Sequence, residues 1–159
     1  MRASLATLAF ILAISVAVLD SAQVANTQQP WIKIAISTSQ SVVKSGSAVV
    51  IKITKTNTTD HNLFYGVGVG SFTDLDVRNS EGKFVPETPY GQKIHDKGHW
   101  SGGSVFSVPL EPGKARKEEV ELSKEYDLSR PGEYTIQARE TDPQGIVVKS
   151  NTITVTVTP

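Results

Sequence analysis

Strict two-residue alternation at the C-terminal end most constrains what this chain can fold into. Thr152, Thr154, Thr156 and Thr158 alternate with Ile153, Val155 and Val157. Successive strand side chains point to opposite faces, so the run has one polar and one apolar face. Every one of these residues is β-branched, which stiffens χ1 and suits a pleated surface. An upstream run repeats the pattern, with Tyr134, Ile136 and Ala138 against Thr135, Gln137 and Arg139. Asp142-Pro143-Gln144-Gly145 lies between them; Pro presets φ and Gly is free to take φ > 0, as a turn requires. Residues 131–158 are therefore predicted to form a half-buried antiparallel hairpin whose apolar face needs a partner layer.

The rest of the chain supplies that layer. Ile32, Ile34 and Ile36 share one phase, as do Val49, Ile51 and Ile53, then Leu63, Tyr65, Val67 and Val69, then Leu75 and Val77. Gly66, Gly68 and Gly70 fill the opposite phase of the third run, a pattern for a bulge or a close backbone approach. Further strands are predicted at Phe84-Val85, over 104–110 and over 116–122, with a short edge pairing at Val42-Val43. One helical turn is predicted within 123–128, and no amphipathic helix of useful length. Seven to eight short strands separated by turn signals predict an all-β fold over 31–159, an immunoglobulin-like antiparallel β-sandwich. Gly132-Glu133-Tyr134 at a strand start has the pattern of a tyrosine corner, its hydroxyl bonding back to upstream backbone.

Before the domain, Met1-Arg2, an apolar run over 3–19 and a polar stretch over 20–30 make the pattern of a secretory signal. The run is shorter than the ~20 residues of a comfortable transmembrane helix. Residues 1–25 are read as signal peptide and start of the linker, with cleavage between Ala17 and Ala25, and 26–30 as a polar linker. The expected location is secreted or periplasmic. There is no cysteine, so no disulfide, thiol nucleophile or cysteine-ligated metal is available. Sixteen basic residues balance sixteen acidic ones. No basic stripe points to nucleic acid and no polybasic segment to a membrane surface, so neither is expected as a partner of the mature chain. No cofactor is expected.

The series Val108-Pro109-Leu110-Glu111-Pro112-Gly113, Tyr126-Asp127-Leu128-Ser129-Arg130-Pro131-Gly132-Glu133-Tyr134 and Lys149-Ser150-Asn151-Thr152-Ile153-Thr154-Val155 resembles an immunoglobulin-like module of secreted proteins. It is similar to the non-catalytic N-terminal domain of some deuterolysin-type zinc endopeptidases, and more weakly to bacterial proteinase-inhibitor domains of immunoglobulin-like fold. The peptidases need a His-Glu-x-x-His helix, in which two His bind zinc and the Glu activates water. That motif is missing here, so the resemblance implies the fold without the activity.

Any site is expected in the longest irregular stretch, 86–103. Tyr90 and Trp100 are candidate aromatic anchors for a protein or glycan partner. His95 and His99 stand four apart beside Asp96, and a loop clamping a metal with help from His61 or Asp60 is a less favoured reading. Gly91 and Gly98 argue against a helix there. No G-x-S-x-G elbow and no dinucleotide fingerprint is present, so no catalytic residue is assigned. Asn57-Thr58-Thr59 is a glycosylation sequon expected in a loop. The favoured reading is a secreted, non-catalytic module that binds an unknown protein or glycan through Tyr90, His95, His99 and Trp100. A peptidase inhibitor of the same fold and a small metal-binding protein are the alternatives.

Overall fold

A computed structural model describes residues 29–67, 73–96 and 106–159. Apolar alternation sets its strands: β1 (Ile32–Thr38), β2 (Val42–Lys44), β3 (Val50–Asn57), β4 (Leu63–Val67), β5 (Asp74–Asn79), β6 (Phe106–Leu110), β7 (Ala115–Glu121), β8 (Gly132–Thr141) and β9 (Val147–Thr158). Two short helices, α1 (Pro89–His95) and α2 (Leu122–Glu125), complete the described elements. None is a helix long and apolar enough to cross a membrane. The strands form a sheet β1-β3-β7, a sheet β2-β9-β8-β5 and a two-stranded ribbon β4-β6.

The expected all-β class holds. Ile32, Ile34 and Ile36 from β1, Ile51 and Ile53 from β3 and Val120 from β7 pack in one cluster with Val77, Tyr134, Ile136, Ala138, Val155 and Val157 from the other sheet. Burying such side chains contributes about 1.5–3 kcal/mol each relative to leaving them exposed. With no disulfide, this shared layer is the main support of the fold. Tyr134 makes the expected corner, its hydroxyl donating to the Arg130 carbonyl at 2.6 Å.

One pairing departs from the expected antiparallel pattern. β2 runs parallel to β9, with Val43 opposite Val157. The chain leaves the first sheet at Thr38 and reaches the edge of the second by Val42 without reversing, so it runs alongside β9. Ser45 then donates its N–H to the Thr158 carbonyl at 2.7 Å.

The hairpin is also less regular than its alternation implies. Gln137 pairs with Thr152 but Arg139 pairs with Lys149, so β9 carries one extra residue between them. Val148 and Ser150 are buried on one side of this bulge, Val155 and Val157 on the other, so the inward phase changes along the strand. Ser150 fits the bulge because its hydroxyl accepts from the Ala138 N–H at 2.9 Å. The turn is fixed by the buried Asp142, whose carboxylate accepts from the N–H groups of Gln144 and Ile146 and, across the fold, of Trp31.

The sequon reading is corrected. Asn57 ends β3 inside the protein, 1% exposed. Its Nδ2 donates to the carbonyls of His61 and Leu110, both at 2.8 Å, and its Oδ1 accepts from the N–H and hydroxyl of Thr59. The amide nitrogen that would carry a glycan is spent on holding the β4-β6 ribbon to β3.

The candidate binding surface on α1

The 86–103 stretch was expected to be irregular; its described part contains α1. Thr88-Pro89 starts the helix: Thr88 Oγ1 accepts from the Gly91 N–H at 3.1 Å, and Pro89 occupies a first-turn position where a missing N–H costs nothing. Gly91, expected to oppose a helix, is what lets it dock. It is buried, and a Cβ there would overlap the Glu125 carbonyl. The modest helix penalty of glycine, about 1 kcal/mol, is outweighed by that close approach.

The docking is dense in hydrogen bonds. Thr88 donates its N–H to the Glu125 carbonyl at 2.9 Å, and its hydroxyl donates to the Lys124 carbonyl. Asp127 donates its N–H to the Pro86 carbonyl at 2.9 Å. Segment 86–96 therefore lies against α2, which is itself anchored by the fully buried Leu122 and its N–H bond to the Val49 carbonyl at 2.7 Å.

Of the four residues singled out from the sequence, Tyr90 and His95 lie on α1, while His99 and Trp100 fall outside the described residues. Tyr90 projects outward and is 54% exposed. His95 turns inward. Its Nδ1 lies 2.8 Å from Glu87 Oε1 and its Nε2 lies 3.2 Å from Glu125 Oε2. Its ring tilts against that of Tyr126 with centroids 5.8 Å apart. Burial pushes the Glu125 carboxyl above its ordinary range, against the opposing pull of His95. Burial, with Glu87 and Glu125 nearby, pushes the Tyr126 phenol up as well, and its hydroxyl donates to the Leu75 carbonyl at 2.9 Å.

His61 and Asp60 do not join this group. Asp60 Oδ1 lies 3.0 Å from His61 Nδ1, a contact that lowers the carboxyl, and the imidazole meets the Trp31 ring edge-on at 5.0 Å. Among the described residues no group of three His, Asp or Glu side chains is arranged to hold a metal ion.

Sequence reasoning missed Glu87, Glu125 and Tyr126, which surround His95 only because α1 folds back onto α2. Thr88-Pro89 was the one local signal, a capping residue followed by Pro at a first-turn position. It also missed Lys55, 1% exposed, which lies 2.7 Å from Glu140 and 3.6 Å from Glu118 and so links β3 to both β7 and β8.

No family model and no curated protein matches the chain. Solved structures that resemble it include the Pseudomonas fluorescens alkylpurine DNA glycosylase AlkC bound to DNA, at 13% identity and TM-score 0.43, covering 82% of this chain and 31% of that one. A CARDB domain from Pyrococcus furiosus, in complex with di-metal ions, has 17% identity and TM-score 0.41 over 81% of this chain and 89% of that one. The sporulation control protein Spo0M of Bacillus subtilis has 11% identity and TM-score 0.47 over 82% of this chain and 51% of that one. The chain thus spans under a third of the glycosylase and about half of Spo0M. At these identities and scores the likenesses assign neither a family nor an activity.

Proposed function

We propose that this chain is an exported, non-catalytic module of immunoglobulin-like architecture that binds a protein or glycan through the surface of α1. The observation that carries the reading is Tyr90: an aromatic side chain 54% exposed on a helix whose other side is fixed to α2. A rigid, amphipathic ring held out from a firm scaffold binds with little loss of conformational entropy. The immunoglobulin-like part of the reading draws on the strand order β1-β3-β7 against β2-β9-β8-β5 and on the Tyr134 corner. Export draws on the signal pattern over 1–25, which precedes the described residues.

The non-catalytic part draws on how the ionisable clusters are used. His95 pairs with Glu87 and Glu125, and Lys55 with Glu118 and Glu140, so each cluster is occupied by its own members.

The test is retention of partners from the native extracellular or periplasmic fraction, and binding to a glycan panel, by the wild type and by Tyr90→Ala. Binding should fall in the variant while its stability stays within about 0.5 kcal/mol, as for a surface substitution. A variant that binds as well as the wild type would remove α1 as the binding surface.

A further inference from the structure

A neutral imidazole has one N–H, and an ionised carboxylate only accepts. Both ring nitrogens of His95 face carboxylate oxygens, at 2.8 Å on Glu87 and 3.2 Å on Glu125. Two good hydrogen bonds therefore require one proton more than a neutral imidazole and two carboxylates carry. Either the imidazolium donates from both nitrogens, or one carboxyl is protonated and donates to the bare nitrogen. Without that proton, a nitrogen lone pair points at a carboxylate oxygen and two anionic side chains flank an uncharged ring.

We propose that Glu87, His95 and Glu125 form a proton-operated latch that fixes α1 to α2 and releases it when the shared proton is lost. The elements joined make this a latch. Glu87 precedes α1, His95 is its last residue and Glu125 is the last residue of α2. The proton thus bonds the far end of α1 to the partner helix, while Thr88 and Gly91 secure its near end. Among the described residues, the groups around the imidazole are few. Tyr126 lies against its ring; Lys93 and Asp96 flank it on its own segment; Lys124, beside Glu125, pairs with Glu121 at 2.7 Å.

The sign follows. With both ring nitrogens of His95 facing carboxylates, the closed latch holds one proton more than a neutral imidazole and two carboxylates carry, so raising the pH opens it. Burial raises the Glu125 carboxyl, so its proton too is held more tightly in the docked arrangement than in the released one. Both groups therefore hold the latch closed on the acid side and release it on the alkaline side. That this release alters ligand binding rests on the reading of Tyr90 as the recognition residue; the latch itself does not.

Amide hydrogen exchange followed by NMR tests the latch without any partner. The N–H groups of Gln92 and Asp96 are bonded to the Thr88 and Gln92 carbonyls, at 2.9 and 3.0 Å, and report α1 directly. Their protection factors, corrected for intrinsic base catalysis, should fall about tenfold between about pH 5.5 and pH 8.5, the scale of one lost charge-assisted hydrogen bond. Amides of the β8-β9 pair should keep theirs. In His95→Gln the α1 protection should be independent of pH over the same range, and in Glu87→Gln, whose amide can donate to a bare nitrogen, the dependence should shrink. Flat α1 protection in the wild type overturns the latch, as does an unchanged dependence in His95→Gln. Either result leaves the Tyr90 reading standing, and failure of Tyr90→Ala to weaken binding leaves the latch standing.

Discussion

The side chain of Asn151 pairs with the backbone of Ile36 as a neighbouring strand would. Its Nδ2 donates to the Ile36 carbonyl and its Oδ1 accepts from the Ile36 N–H, both at 3.0 Å. Ile36 lies on β1, an outer strand of its sheet, and Asn151 sits at the β9 bulge in the other. The extra residue at the bulge thus lets one carboxamide join the two sheets and satisfy backbone groups on the edge of β1. Strand edges are where a sheet is most exposed to unwanted pairing.

Asn151→Ala should lower stability by about 1–3 kcal/mol, since two partly buried backbone groups lose their partner. Asn151→Asp should cost at least as much at neutral pH, because a carboxylate cannot donate to the Ile36 carbonyl. Urea denaturation of the two variants checks this; a loss in Asn151→Asp much smaller than in Asn151→Ala would mean that donation to that carbonyl contributes little.

Gly91→Ala separates helix propensity from docking. Alanine is the better helix former by about 1 kcal/mol. Here its Cβ would overlap backbone, the Glu125 carbonyl, with the carbonyl carbon only 2.9 Å away. Backbone cannot rotate aside as a side chain can, so α1 should lift from α2. Limited proteolysis should cut within 86–96 faster than in the wild type, while the denaturation midpoint of the β core moves little. Slower cleavage would mean that propensity outweighs the contact.

The hairpin, the three-isoleucine phase of β1, the inward phase of β3 and the Tyr134 corner were legible because each depends on local alternation or on a neighbour within four residues. The described part of the candidate site was half legible. Tyr90 was found as an exposed aromatic. The surroundings of His95 were hidden, because its partners arrive from Glu87 on one side and Glu125 on the other only after α1 docks. Lys55 was hidden for a related reason. It continues the phase of Val49, Ile51 and Ile53, but a lysine is almost never fully buried unless it is paired. The convergence of Glu118 and Glu140 from separate strands helps make it acceptable inside. The β9 bulge was not legible because Ile146, Val147 and Val148 are all apolar and leave the inward phase open ahead of the regular alternation over 152–158.

Lys55 carries a prediction of its own. A buried ion pair is often replaceable by apolar groups at little net cost, whereas removing one partner strands a buried charge. Glu140→Leu should therefore cost about 3–5 kcal/mol, for it removes the nearer of the two carboxylates facing buried Lys55, the one at 2.7 Å. The double variant Lys55→Met/Glu140→Leu should recover most of that loss. Chemical denaturation of both variants checks it, and a double variant no more stable than Glu140→Leu would show that the lysine itself is needed.

Tyr126 should set much of the alkaline limit of the fold. Burial pushes its phenol above the ordinary value of about 10, and the carboxylates of Glu87, Glu125, Asp74 and Asp76 add to the shift. A folded-state value raised above the unfolded one means that the folded chain holds the proton more tightly. Its contribution to stability is fully present below about pH 10 and is lost as pH rises through the folded value. Stability should therefore decline from about pH 10 upward. Tyr126→Phe should give up about 1 kcal/mol at neutral pH, for the lost bond to the Leu75 carbonyl, and then decline less steeply in alkali. Some slope should persist, because burial also raises the Tyr134 phenol, with Asp127 adding to the shift. Denaturation midpoints between about pH 8 and pH 11 would show this, and parallel curves for wild type and variant would mean that Tyr126 does not control the alkaline transition.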